Sequence, residues 1–135
     1  MNEFNYYDHL KDVKKQVLDQ FVDELTDIEE PKEIYFHDII SEVVDENIPY
    51  DNIELITIIE ESGNESEVEE GFIDSSKGLQ SGVLMPMAYE CLKTALFEDQ
   101  IFMDLQDEMN NEIIDKTKAT ELITQINQYI KEELD

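Results

Sequence analysis

From Tyr7 onward, large apolar side chains return every three or four residues, at Leu10, Val13, Val17, Phe21 and Leu25. That is the spacing of one face of an α-helix, and it forces such a chain to bury one stripe of each segment against its neighbours. The same period recurs downstream, so the sequence predicts an all-α or mainly α fold. With 135 residues and 41% apolar content, one domain over residues 1–135 can bury roughly two thirds of its unfolded surface. Five to six amphipathic helices are expected.

Pro31 suits the first turn of a second helix, where its missing amide costs nothing. That helix is expected to run to Glu46, with Phe36, Ile39, Ile40, Val43 and Val44 inward. Asn47-Ile48-Pro49-Tyr50 breaks it, because the residue before proline is pushed out of the helical region. Asp51 with Glu54 three positions on resembles a capping box that opens a third helix to about Glu61. Its β-branched run leaves a short strand near residues 53–59 as the alternative. The residues around 62–76, with Gly63 and Asn64 as turn signals, are expected to form a mobile acidic segment. An apolar helix with Pro86 in its first turn should follow, built on Tyr89, Leu92, Ala95, Leu96 and Phe97. A further helix is expected from Glu98 to Asp115, and a last one capped by Thr117.

Charge opposes this folding. The chain carries 35 acids against 9 bases, a formal net charge of −26, and such self-repulsion is better known from disordered chains. Large, periodic apolar residues argue that it folds nonetheless. The excess is also unevenly placed: the 44 residues between Lys32 and Lys77 hold 14 carboxylates and no lysine. Within the second helix, Asp38, Glu42, Asp45 and Glu46 gather opposite the apolar face. Glu65, Glu67, Glu69 and Glu70 follow in the acidic segment, and Asp104, Asp107 and Glu108 form a second patch later on. A surface built only for solubility would interleave lysine and gain i,i+4 pairs.

Several functions fall away. Every base is lysine, so the chain lacks the arginine best suited to bidentate phosphate contacts, which argues against direct nucleic-acid binding. Cys91 stands alone, which excludes an internal disulfide and fits a reducing cytoplasm. No leader is visible at Met1-Asn2-Glu3-Phe4, and no apolar run approaches the roughly 18 residues a membrane helix needs. An EF-hand frame around Gly71 would start at Ser66, with Val68 and Lys77 where oxygen ligands belong, so no metal site is expected. Asp74-Ser75-Ser76 resembles the attachment serine of acyl carrier proteins, but leucine should follow that serine. His9 and His37 have no partner at ligand spacing, and no phosphate loop or nucleophile elbow occurs. Neither a catalytic residue nor a cofactor is expected, and the chain reads as a non-enzyme. An enzyme using a carboxylate pair would require acids converging in a pocket.

The step Asp45-Glu46-Asn47-Ile48-Pro49-Tyr50, followed by Leu55, resembles a turn found in small proteins of phages and other mobile elements. In charge and size the whole chain resembles the anti-CRISPR and anti-restriction inhibitors of such elements, several of which mimic DNA. This resemblance of character assigns no role to any residue. It implies an acidic inhibitor in the host bacterial cytoplasm whose partner is a basic nucleic-acid-binding protein, a CRISPR nuclease or a restriction enzyme. On the charge density of duplex DNA, 26 charges match roughly 44 Å of duplex. The rival expectation is a non-enzymatic phage or bacterial adaptor whose charge serves solubility alone.

Overall fold

The computed structural model describes residues 4–62, 81–110 and 112–134. Among them are six α-helices and one small antiparallel ribbon. In chain order these are α1 (Tyr6–Thr26), β1 (Lys32–Glu33), α2 (Phe36–Glu46), α3 (Asn52–Glu61), α4 (Ser81–Leu96), α5 (Gln100–Met109), β2 (Ile113–Ile114) and α6 (Lys116–Tyr129). A π-helical turn, Ile130–Leu134, continues α6. The expected mainly α architecture is thus realised, and the run near residues 53–59 is helical.

α1 is the spine of the fold. Val13, Val17, Leu18 and Phe21 are fully buried, and the helix packs against α2, α3, α4 and α6. Phe36, the first residue of α2, stacks on Phe21 with ring centroids 5.2 Å apart and meets Phe97 at 6.0 Å. One face of α3 lies on α4 through Leu55, Ile58 and Ile59, all without exposure. A single cluster of buried apolar residues runs from Tyr6 to Leu134. It contains no buried polar or charged side chain among the described residues. Tyr6, rather than the expected Tyr7, is the inward aromatic at the start of α1; Tyr7 is 65% exposed and donates to Glu61 Oε2 on α3 at 3.2 Å.

Helix starts follow local chemistry. Asn5 accepts from the Asp8 amide at 3.1 Å, and Asp51 from the amides of Ile53 and Glu54 at 2.9 and 3.2 Å. Each such cap contributes about 1 kcal/mol. The cap of α6 is Asp115, which accepts from the Lys118 amide at 2.8 Å, instead of the expected Thr117. Asp99 holds the cap position of α5 yet makes no cap bond. Its carboxylate is drawn instead to Lys14 Nζ on α1 and to the Tyr129 hydroxyl on α6, the latter at 2.8 Å.

Two expected helices are shorter than their periodicity suggested. Pro31 precedes a strand, and α2 begins only at Phe36. The local pattern alternates: Ile34 and Phe36 are buried, while Glu33 and Tyr35 are exposed, which is the signature of an extended strand. Likewise α5 stops at Met109, and Ile113–Ile114 pair with β1 in the register Lys32↔Ile114 and Glu33↔Ile113. α4 begins at Ser81, so Pro86 lies inside the helix beyond its first turn. The ring is exposed, on a side where water can meet the carbonyl its missing N–H frees.

Candidate partner-binding surface

α2 shows the charge pattern most plainly. At 100° per residue, Asp38, Glu42, Asp45 and Glu46 share one side of the helix, and all four are exposed. Its opposite side carries Phe36, Ile39, Ile40, Val43 and Val44 into the core. No ion pair among the described residues reaches any of the four carboxylates. They therefore project a negative field that no bonded cation among the described residues neutralises and that salt screens.

Beyond its buried apolar face, α2 is held by polar contacts at its two ends. At the C-terminal end, His9 Nε2 on α1 donates to the Asn47 carbonyl at 2.9 Å. Asn47 and Gln16 exchange two amide bonds of 3.0 and 3.1 Å, and Asn47 Nδ2 also donates to the Val43 carbonyl at 2.8 Å. Toward the N-terminal end, Gln106 Nε2 on α5 donates to His37 Nε2 at 3.1 Å. Both histidines are thus structural connectors.

The His37 bond and the ribbon bring the two expected acidic regions side by side. Asp38 and Asp107 each follow one partner of that bond in sequence, and Glu33 faces Ile113 across the ribbon. The second patch is less open than the first. Asp104 accepts from Gln100 Nε2 at 2.9 Å, and Glu108 is bridged by Lys118. Asp107 remains exposed. Glu65, Glu67, Glu69 and Glu70, with most of the expected acidic segment at 62–76, lie outside the described residues.

Sequence reasoning missed the concave part of this surface. A groove of about 420 Å³ runs between the end of α1, β1 and the first two turns of α2. Its floor is Ile34 and Ile39; its rim carries Glu24, Glu33, Asp38 and Glu42; Lys32 is its sole base. Lys32 Nζ lies 4.0 Å from Glu24 Oε2, a contact of little energy between exposed groups. Tyr35 also lines the groove and is 66% exposed. A second concavity of about 350 Å³ on the other side of the ribbon is lined by Asp107, Glu112 and Ile113 among others. The alternation Glu33-Ile34-Tyr35-Phe36 was the available signal, hidden because four residues of period two were absorbed into a longer helical pattern.

No family model, curated protein or solved structure matches the chain.

Tyrosines supply the shifted ionisations. Burial foremost, with the charge of Glu98 adding to it, pushes the Tyr6 hydroxyl up to about 12. Tyr129 is raised by burial and then by its bond to the Asp99 carboxylate. Tyr7 is raised chiefly by its bond to Glu61. None of the three lies on α2 or in the groove beside it. Among the described residues no group of three or more metal-binding side chains converges, and no helix is long and apolar enough to cross a membrane.

Proposed function

We propose that this protein is a non-enzymatic acidic inhibitor that occupies the basic nucleic-acid-binding surface of a host defence protein, either a CRISPR nuclease or a restriction enzyme. It acts in the bacterial cytoplasm as a nucleic-acid mimic. The observation that carries this reading is the exposed side of α2: four carboxylates in one stripe, with no cation among the described residues bonded to them. Lysines elsewhere in the molecule do bridge acids, as Lys14 does Asp99 and Lys118 does Glu108. Where other acids are bridged by lysine and the four on α2 have no bonded cation among the described residues, that stripe presents a surface suited to a cationic partner. Opposite fields would steer encounter and raise the association rate.

The direct test is recovery of a partner from a bacterial lysate at low and high salt, followed by competition with DNA or guide RNA. Capture of a nuclease that is released by salt and displaced by its own nucleic acid is the expected result. Capture indifferent to both, or no capture of a nucleic-acid-binding protein, would sink the mimic and favour the accessory-protein alternative.

A further inference from the structure

Resting on that reading, we propose that the groove between α1, β1 and α2 is the anchor point for an arginine side chain of the basic partner, which stacks on Tyr35 and places its guanidinium among Glu33, Asp38 and Glu42.

Three observations lead there. First, Tyr35 occupies the N-cap of α2, has backbone angles of φ −84° and ψ 86°, and makes no cap hydrogen bond. Serine, threonine, aspartate or asparagine would satisfy an orphan amide at that position. The chain spends a cap on an aromatic ring that is 66% exposed, so the ring is not there for the helix. Second, the groove has an apolar floor, Ile34 and Ile39, beneath an acidic rim. That layering matches a long cationic side chain, whose methylene stem lies on apolar surface while its head reaches charge. Third, the only base lining the groove, Lys32, leans toward Glu24. Glu33, Asp38 and Glu42 make no ion pair among the described residues.

Arginine fits this combination better than lysine. A planar guanidinium stacks on an aromatic face and takes a carboxylate through two parallel hydrogen bonds, whereas an ammonium is a compact, strongly hydrated point charge. The remaining acids of α2, Asp45 and Glu46, lie beyond the groove lining. They contribute field and do not discriminate between the two cations.

The test uses the full chain with two synthetic peptides of equal length and charge, one arginine-rich and one lysine-rich, titrated while amide and side-chain NMR shifts are followed. The arginine peptide should bind about two- to fivefold more tightly, the margin a cation–π contact supplies at an exposed site. Its shifts should centre on Ile34, Tyr35 and Ile39. Tyr35→Ser should erase that preference while raising the melting temperature, because it restores a cap; Tyr35→Phe should keep the preference. Lys32→Gln should tighten both peptides by removing the competing cation. Equal affinities, a preference that survives Tyr35→Ser, or shifts confined to Asp45 and Glu46 would overturn the arginine anchor while leaving the acidic-inhibitor reading in place. If neither peptide binds at low salt, both proposals fall.

Discussion

α1 and α6 together contrast with α2, and the difference concerns where lysine is placed. Lys11, Lys14 and Lys15 lie on α1, Lys116 and Lys118 on α6, and Lys131 in the turn that continues it. α2 and α3 have no lysine at all. On the lysine-bearing side, cations join elements that repulsion would separate: Lys14 ties α1 to the start of α5, and Lys118 ties α6 to Glu108 on α5. On the α2 side the polar contacts that add to its buried apolar face are made by neutral groups, namely Asn47, Gln16, Gln106 and the two histidines. Two ways of holding a helix are thus used in one molecule, and the neutral way is the one that leaves negative charge uncompensated.

The harshest way to break this comparison is to remove what both regions share. Phe36→Ala deletes the ring stacked on Phe21 and should cost about 3–5 kcal/mol, read as a loss of chemical and thermal stability. A destabilisation below about 1 kcal/mol would mean that α2 is held mainly by its polar clamps. Next is simultaneous Asp38, Glu42, Asp45 and Glu46→Gln. Four exposed pairs at about 0.5–1 kcal/mol each predict roughly a thirty- to thousandfold loss of affinity for the captured partner. The same exchange at Asp8, Asp12, Asp19 and Asp23 on α1 should change it only a few-fold, and equal losses would dissolve the distinction between the regions.

A smaller effect separates the two by pH. Tyr6 and Tyr129 both have folded values above the ordinary 10, so the unfolded chain binds fewer protons than the native one at alkaline pH. Their contribution is complete below about pH 10 and is lost as pH rises through about 12, the folded value of Tyr6. Alkaline denaturation followed by circular dichroism should therefore loosen the α1–α6 side, and Tyr129→Phe should flatten that loss while removing about 1 kcal/mol at neutral pH. An unchanged alkaline profile would show that the Lys14–Asp99–Tyr129 contact does not hold this side together. The smallest effect is Tyr35→Ser, a gain of about 0.5–1 kcal/mol from a restored cap; a loss in thermal melting would mean that the ring supports the fold after all.

Most of the helices could be read from apolar spacing, because burial of one stripe is a strong constraint over ten or more residues. The start of α3 could be read too, since its cap, Asp51, is a short polar side chain beside the first turn. The ribbon could not. Each strand has two residues, and its pairing is set by the packing of α2 and α5 rather than by any pattern within β1 or β2. The candidate surface divides in the same way. The stripe on α2 follows from helix geometry alone, so all four of its acids lie where the spacing put them. The second patch was overestimated, because Gln100 and Lys118 engage Asp104 and Glu108 from positions that spacing along one helix cannot relate to charge. Tyr35 escaped notice because an aromatic in a cap position acquires meaning only once the groove beside it is known.

The ribbon also sets an order of events. It joins residues 32–33 to 113–114, pairs separated by 80 and 82 positions in a chain of 135, and closing so long a loop is entropically costly until other contacts have drawn its ends together. The helices and their bare charge can form early, whereas the meeting of Glu33 with Ile113 has to wait for α5 and α6 to dock. A chain still emerging from the ribosome, or one truncated before β2, therefore has the acidity of the finished protein without its ribbon. Such a fragment keeps every residue that lines the groove, from Glu24 to Glu42, but lacks the strand that holds Lys32 and Glu33 in register.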